Sequence, residues 1–428
     1  MLLFLKNREV KNASWMIGGK VMQMLLGLFV GVLTARYLGP SDYGLINYAA
    51  TYTAFFSSLC SLGINSVIIK DFVDNPGEQG TSIGTTFVLR FISSVLSMVT
   101  IFAAVNLIDS GEEITIAVVM LSSLSLLFHI FDTLNCWFHY KYMAKIVAIS
   151  SCIAYTAVAI YKITLLVLEK DIRWFAFSTS VDYIVIAVVL MIVYFKNGGP
   201  RFRFSWSKGK KLLAKSYPYI LSGMMVAVYA QTDKIMIKHM MNSADVGYYS
   251  TASAICSMWT FVLAAIIDAI FPTIYRVYRT DQDMFERKNR QLYAIVIYLS
   301  LAVSVGFIIL GEPVIWILYG EEYIPAASSL KIITFGTVFS YLGIARHAWI
   351  VCKNMQKHLT TISLFAAIAN VMMNCLLIPA IGIDGAALAS VMVQFFTCFV
   401  VPIFIKGMRP NIRLMVEAFL LKNVFKEK

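Results

Sequence analysis

The chain has 428 residues, of which 59% are hydrophobic and only 14% charged, and its mean hydropathy is +0.74. A soluble domain carries about 25% charged residues, so this composition excludes an ordinary soluble protein. The net charge of +12 does not predict a nucleic-acid partner, because basic loops beside membrane spans account for such an excess.

Apolar runs of roughly 18 residues or more recur along the whole chain, and each predicts a membrane-spanning helix. The sequence therefore predicts an all-α membrane protein with about twelve transmembrane helices. The predicted spans cover residues 13–35, 45–69, 83–108, 114–138, 146–168, 175–195, 218–240, 248–274, 292–310, 326–351, 359–381 and 383–405. The seven cysteines lie singly, mostly inside these spans. Their spacing predicts neither a disulfide framework nor a metal site, and no cofactor is expected.

A helix-breaking joint follows the first predicted span. Residues 35–44 read ARYLGPSDYG, and the proline after Gly39 cannot continue a regular helix because it lacks an N–H. The segment 241–248, MNSADVGY, repeats the Asp-x-Gly pattern of this joint 203 residues later. A joint repeated at about half the chain length predicts two related halves.

Positive charge is distributed unevenly among the connections. The N-terminus, the even-numbered connections and the tail carry 26 of the 36 Lys and Arg residues, and the odd-numbered connections carry four. This bias predicts that both termini are cytoplasmic. We predict an N-terminal six-helix half at 1–195, a cytoplasmic basic linker at 196–216, and a C-terminal six-helix half with a cytoplasmic tail at 217–428.

Ten charged residues lie inside the predicted spans and away from their ends, where each costs at least ~2.5 kcal/mol unless it faces a cavity or a partner. They are the cations Lys20, Arg90, Lys162, Lys234, Lys331 and Arg346, and the anions Asp132, Asp182, Asp233 and Asp268. Several lie on polar stripes with helical spacing. We predict that such stripes line a central cavity, although stripes of small polar residues also serve as helix-packing surfaces. The predicted substrate-binding residues are Lys20, Arg36, Arg90, Lys234, Arg346, Asn47, Asn65 and Asp268.

His129 and Asp132 are three residues apart on the fourth predicted span. This pair can couple transport to an ion by relaying a proton. The alternative is an ordinary internal hydrogen bond between the two side chains. No sequence motif of an enzyme active site is present, so the chain is not expected to be an enzyme.

Three segments carry a family resemblance. They are the joint at 35–44, the segment LYGEEYIPAA at 318–327, and the segment GIDGAALA at 382–389. In these residues the chain resembles polysaccharide transporters of the O-antigen flippase (Wzx) type, within the multidrug/oligosaccharidyl-lipid/polysaccharide (MOP) exporter superfamily. The resemblance implies a V-shaped, MATE-like bundle with two six-helix halves.

The resemblance also implies a function. It implies a flippase that moves undecaprenyl-pyrophosphate-linked oligosaccharide, such as an O-antigen repeat unit, across the bacterial inner membrane by alternating access. Its partners would be this lipid-linked substrate, membrane lipids and other polysaccharide-assembly proteins. An excess of cations inside the spans suits a pyrophosphate. The alternatives are a multidrug or cation antiporter of the same superfamily, another polyprenyl-lipid flippase, and a membrane enzyme such as a polymerase or ligase.

Overall fold

The structure is a computed structural model that describes residues 8–422 and 424, with side chains from Gly18 onward. Within these residues the chain forms helices and turns and no strand, so the prediction of an all-α membrane protein is confirmed. Ten helices in this part of the chain are long and apolar enough to cross a membrane, judged by length and composition.

The difference between ten and twelve spans has two sources. The first of the ten, Gly18–Asp74, contains two predicted spans that continue through the joint. The helix that contains the predicted seventh span, Trp206–Met240, is not among the ten. Its N-terminal part is basic, and charged side chains within the span, such as Asp233 and Lys234, lower its hydropathy.

The chain forms two compact units, of which the first extends to Ala227. Its helices are α1 (Arg8–Cys60), α2 (Asn65–Asp74), α3 (Gln79–Ile108), α4 (Glu113–Ser123), α5 (Ser125–Phe128), α6 (Asp132–Tyr140), α7 (Ala144–Val167), α8 (Ile172–Lys196) and the first part of α9 (Trp206–Met240). Helix α1 packs against α4 and α7, and α8 also packs against α4 and α7. A buried cluster that includes Phe72, Trp137 and Tyr194 forms the core around α2, α6 and α8.

The joint in α1 has a backbone conformation that requires glycine. Gly39 has φ 71° and ψ 173°, which interrupts the helix between the first two predicted spans. A side chain at this φ and ψ would be strained, whereas glycine adopts them freely. The predicted helix break at Gly39 and Pro40 is therefore present in the structure.

The extended segment 200–205, which we call the strap, binds the start of α3. The backbone N–H of Arg203 donates to the carbonyl oxygen of Gly80 at 3.1 Å, and that of Ser205 donates to Thr85 Oγ1 at 3.0 Å. A Cβ at Gly80 or Gly84 would collide with a carbonyl oxygen of the strap. These two glycines therefore form a groove that admits the strap backbone.

An ion-pair network holds the helix that follows the strap. Lys208 Nζ lies 3.1 Å from Asp71 Oδ2 and 2.8 Å from Glu78 Oε2, and the Lys208 side chain is only 11% exposed. Burial alone would lower the pKa of Lys208, but hydrogen bonds from its ammonium group to Glu78 and Asp71 outweigh burial and raise it. The start of α9 is thus fixed to the first unit by both backbone and charge.

The second unit begins at Val228. Its helices are the rest of α9, α10 (Ser243–Tyr278), α11 (Gln282–Tyr319), α12 (Ala326–Ala345), α13 (His347–Cys352), α14 (Lys357–Ile381), α15 (Ile383–Phe395), α16 (Val401–Phe404) and α17 (Arg409–Phe419). Helix α12 packs against α10, α11 and α15, and α14 packs against α15. A five-residue π-helix, Phe396–Val400, joins α15 to α16.

The terminal helix α17 is fastened to α11 by buried polar contacts. Glu417 accepts hydrogen bonds from Arg290 Nε at 2.6 Å and from Arg413 Nε at 2.7 Å. Asn411 Nδ2 donates to the hydroxyl of Tyr293 at 2.6 Å. Burial alone would raise the pKa of Glu417, but the hydrogen bonds and charges of the two arginines lower it.

Candidate functional site

Arg90 is the centre of a polar network in the first unit. This residue is 1% exposed, and its guanidinium donates to the segments 61–65 and 129–133. Nη2 donates to Asn65 Oδ1 at 2.6 Å and to the carbonyl oxygen of Ser61 at 3.3 Å. Nη1 donates to Thr133 Oγ1 at 3.0 Å and to the carbonyl oxygen of His129 at 3.4 Å. The structure thus brings together three residues predicted to be functional, Arg90, Asn65 and His129.

The Arg90 guanidinium has no carboxylate within ion-pair distance among the described residues. Its Nε also has no hydrogen-bond partner there. Neutral oxygens therefore hold a buried positive charge, which is costly in a low-dielectric environment unless every donor is satisfied. Asn65, whose side chain accepts from Arg90, is itself exposed. Asn65 therefore connects the buried charge to the surface of the unit.

His129 occupies a break in the helix of the fourth predicted span. The chain passes from α5 through a 3₁₀ turn, His129–Phe131, into α6. His129 Nδ1 lies 3.4 Å from Asp132 Oδ2, and its ring stacks on Tyr183 with centroids 4.2 Å apart. Its Nε2 is buried and has no partner among the described residues. A 3₁₀ stretch inside a helix often marks a hinge. The contact between His129 and Asp132 fits both predicted roles, a proton relay and an ordinary internal hydrogen bond.

The other predicted residues of the first unit lie apart from this network. Lys20 and Arg36 are exposed residues of α1. Asn47 Nδ2 donates to the carbonyl oxygen of Tyr43 at 2.8 Å, within the same helix. Within the part of the chain that the structure describes, none of the three forms a hydrogen bond with Arg90. Their predicted contact with substrate stays a prediction.

Asp233 is the centre of a second network, in the second unit. Its Oδ1 accepts hydrogen bonds from Asn370 Nδ2 at 2.8 Å and from Asn374 Nδ2 at 2.6 Å. Its Oδ2 accepts from the hydroxyls of Tyr249 and Ser390, each at 2.6 Å. Four donors from α10, α14 and α15 thus surround one carboxylate of α9, which is 5% exposed.

The sequence analysis did not assign Asp233 to a site. The available signal was the pair Asn370 and Asn374, which lie four residues apart on one face of α14 inside an apolar span. The predicted residue Lys234 follows Asp233 but is half-buried and is not a member of this network. Asp268, also predicted, is an exposed residue of α10.

Arg346 borders a cavity of about 350 Å³ inside the second unit. It is 4% exposed and lies between α12 and α13. Nη1 donates to the carbonyl oxygen of Cys398 at 3.1 Å, and Nη2 donates to that of Thr397 at 3.5 Å. Both carbonyls belong to the π-helix. The guanidinium is thus oriented by two backbone acceptors of Phe396–Val400.

Two atoms of residues that line this cavity, Arg346 Nε and Gln394 Oε1, are fully buried and have no hydrogen-bond partner among the described residues. None of the described residues that line the cavity is acidic. Its polar lining residues other than Arg346 are Tyr229, Ser340, His347, Ser363, Gln394 and Thr397. The cavity therefore carries a fixed positive charge beside neutral hydrogen-bonding groups, which suits an anionic ligand.

The fold is that of the MATE-type membrane transporters. The chain is similar to an inward-facing MATE multidrug transporter of the MOP superfamily, with a TM-score of 0.72, 14% identity, and coverage of 92% of this chain and 95% of that chain. It is also similar to the lipid II flippase MurJ in an inward closed conformation, with a TM-score of 0.75, 15% identity, and coverage of 96% and 91%. The predicted MATE-like fold is confirmed.

The family follows from the sequence. Residues 10–278 match the family described as "Polysaccharide biosynthesis protein", and the chain belongs to this family. It is 22% identical to the capsular polysaccharide biosynthesis protein CapF of Staphylococcus aureus, over 90% of this chain and 96% of CapF. It is 21% identical to a putative O-antigen transporter of Shigella flexneri, over 89% and 93%. The predicted resemblance to polysaccharide transporters of the MOP superfamily is confirmed, and the solved relatives are transporters and a flippase rather than enzymes.

Proposed function

We propose that this protein is a flippase for undecaprenyl-pyrophosphate-linked oligosaccharide, such as an O-antigen or similar repeat unit, in the bacterial inner membrane. Alternating access moves the lipid-linked unit from the cytoplasmic to the outer leaflet. The observation that carries the proposal is the cavity at Arg346. A buried cation lines this cavity, and none of the described lining residues is acidic. Membership of a polysaccharide biosynthesis family supports a glycan as the cargo.

The substrate contacts we propose are cations within or next to the predicted spans, together with nearby polar residues. Lys20, Arg36 and Lys234 attract the anionic lipid headgroup, and Asn47, Asn65 and Asp268 bind neutral parts of the substrate. Arg90 acts through Asn65, because both of its terminal nitrogens already donate to groups inside the unit. The ion-coupling role falls on His129 and Asp132, whose Nδ1 and Oδ2 lie 3.4 Å apart.

A cation antiporter of the same fold would need acidic groups where a cationic drug binds. The Arg346 cavity offers the opposite charge, which is a reason to favour the flippase over the antiporter. The similarity to MurJ concerns the fold alone. It makes a polyprenyl lipid a reasonable cargo but does not specify the glycan.

The proposed orientation has both termini and the segment 196–216 in the cytoplasm, because this segment is rich in Lys and Arg. A cysteine introduced by Asn197→Cys, in a variant without the seven native cysteines, should be protected from impermeant thiol reagents in intact cells. It should react once the cells are permeabilised. Labelling in intact cells would reverse the proposed orientation.

The function is tested in cells deleted for the gene. We expect loss of surface polysaccharide, accumulation of the lipid-linked oligosaccharide on the cytoplasmic leaflet, and rescue by the wild-type chain but not by Arg346→Glu at equal membrane abundance. Sensitivity to cationic drugs is measured in parallel. Intact surface polysaccharide together with new drug sensitivity would reject the flippase in favour of the antiporter.

A further inference from the structure

The Arg346 cavity has the size and lining of a site for one small polar ring. Its volume of about 350 Å³ falls within the range of small-molecule sites, which is roughly 300–1,000 Å³. Phe339 and Tyr229 supply aromatic surface, and Ser340, Ser363 and Gln394 supply hydrogen-bonding groups. Such a mixture of aromatic faces and neutral polar groups fits the alternating C–H and O–H surfaces of a sugar ring.

The charge at this cavity selects a singly charged ligand. Arg346 is the only arginine or lysine among its described lining residues. A pyrophosphate in the same place would bring two negative charges, and the second would be buried without a partner at high cost. A sugar carboxylate brings one negative charge, which Arg346 balances.

The orientation of the guanidinium also suits a carboxylate. The two carbonyl oxygens of the π-helix orient Nη1 and Nη2, and each of these nitrogens carries a second N–H. A guanidinium presents its two terminal nitrogens as a fork that matches the two oxygens of a carboxylate. Gln394 also lines the cavity, and its side-chain amide can pair with a sugar hydroxyl.

We propose that this cavity binds an acidic sugar of the transported glycan, with its carboxylate on Arg346 and a ring hydroxyl on Gln394. This inference rests on the proposed function and refines it. Arg346 then contacts the glycan and not the pyrophosphate, and the cavity discriminates acidic from neutral repeat units. Other cations of the chain then bind the pyrophosphate.

The test uses the purified full-length protein in lipid nanodiscs and saturation-transfer difference NMR, which detects weak ligands. The probes are D-glucuronate, D-galacturonate, D-glucose and inorganic pyrophosphate. We expect saturable binding of at least one uronate, much weaker binding of glucose, and no displacement of the uronate by pyrophosphate. Arg346→Gln should weaken uronate binding by about tenfold to a hundredfold.

Arg346 also contacts the π-helix, so Arg346→Gln could misfold. A second variant therefore tests the cavity without changing Arg346. Gly343 lines the cavity, and a Cβ built there meets no atom within 4 Å, so Gly343→Leu places a side chain in open space. It should block uronate binding while the protein keeps its melting temperature. Gly306→Leu is the matched control, because Gly306 on α11 is equally open but is not a lining residue.

Several results would overturn the inference. They are no saturable uronate binding to the wild type, equal binding of glucose, displacement by pyrophosphate, or wild-type binding by Gly343→Leu. Any of these, combined with rescue of surface polysaccharide in the deletion cells, leaves the flippase function standing without this site. Failure of the wild-type chain to rescue would reject the function itself.

Discussion

Asp233 and Asn374 lie 141 residues apart along the chain, yet Asn374 Nδ2 donates to Asp233 Oδ1 at 2.6 Å. The carboxylate holds α9 against α14 through this bond and against α10 and α15 through its other oxygen. One side chain thus connects four helices of the second unit.

Asp233→Ala should destabilise the second unit strongly. It leaves buried amide and hydroxyl donors without an acceptor, and each such group costs about 1–3 kcal/mol. We expect a lower melting temperature of the purified protein and lower abundance in the membrane. Asp268→Asn, which alters an exposed carboxylate, is the control and should melt like the wild type. Equal melting of both variants would contradict the assigned role of Asp233.

Arg90→Lys should destabilise the first unit although it keeps the positive charge. A lysine presents its donors from one nitrogen and cannot reach Asn65 and Thr133 together as the guanidinium does. The loss should be about 3 kcal/mol, as for hydrogen bonds of a charged group. Lys20→Ala, at an exposed position, should leave the melting temperature unchanged and reduce transport alone. Unchanged melting of Arg90→Lys would remove the structural role of the network.

The joint at Gly39 should tolerate no larger residue. Gly39→Leu forces a side chain into a conformation that costs about 1–3 kcal/mol, so membrane abundance should fall. Gly18→Leu is the matched control, because a Cβ at Gly18 meets no atom within 4 Å. Arg36→Ala should keep normal abundance but transport poorly. If Arg36→Ala reduced abundance as much as Gly39→Leu, the role of Arg36 would be structural.

The strap should loosen when its ion-pair network is broken. Lys208→Met leaves the half-buried carboxylate of Asp71 without its cation, so trypsin should cleave after Arg201 or Arg203 about tenfold faster in detergent-solubilised protein. Lys210→Met changes an exposed neighbour and should cleave at the wild-type rate. Identical cleavage of the two variants would show that the backbone contacts alone hold the strap.

Docking of α17 should weaken at acid pH. The pKa of Glu417 is lower in the folded protein than in an unfolded chain, where it is about 4.3. Its contribution is therefore complete above that ordinary pKa and is lost as the pH falls through the lowered value. The protection of residues 409–419 against hydrogen exchange, relative to the intrinsic exchange rate at each pH, should fall on acidification in the wild type. In Glu417→Gln this protection should be low already at neutral pH, and a wild-type profile in this variant would contradict the prediction.

The features that could be predicted from the sequence are those that depend on neighbouring residues or on the lipid environment. The break at Gly39 was predictable because proline and glycine act on the nearest residues, and the spans were predictable because lipid excludes charge. The Asp233 network was not predictable, because Asn370, Asn374 and Ser390 are brought to it only by packing of distant helices. Arg346 was recognised as an unusual in-membrane cation, but its orientation depends on carbonyls of a π-helix that hydrophobic periodicity does not reveal.

The π-helix Phe396–Val400 has an evolutionary consequence. A π turn contains one residue more than an α turn, so deletion of one residue in this segment would restore a regular helix. The carbonyls of Thr397 and Cys398 would then return to the helix ladder and leave the guanidinium of Arg346 without its two acceptors. A one-residue gap after Gln394 in an alignment should therefore coincide with loss of the arginine, so that a single insertion or deletion separates family members that accept different glycans.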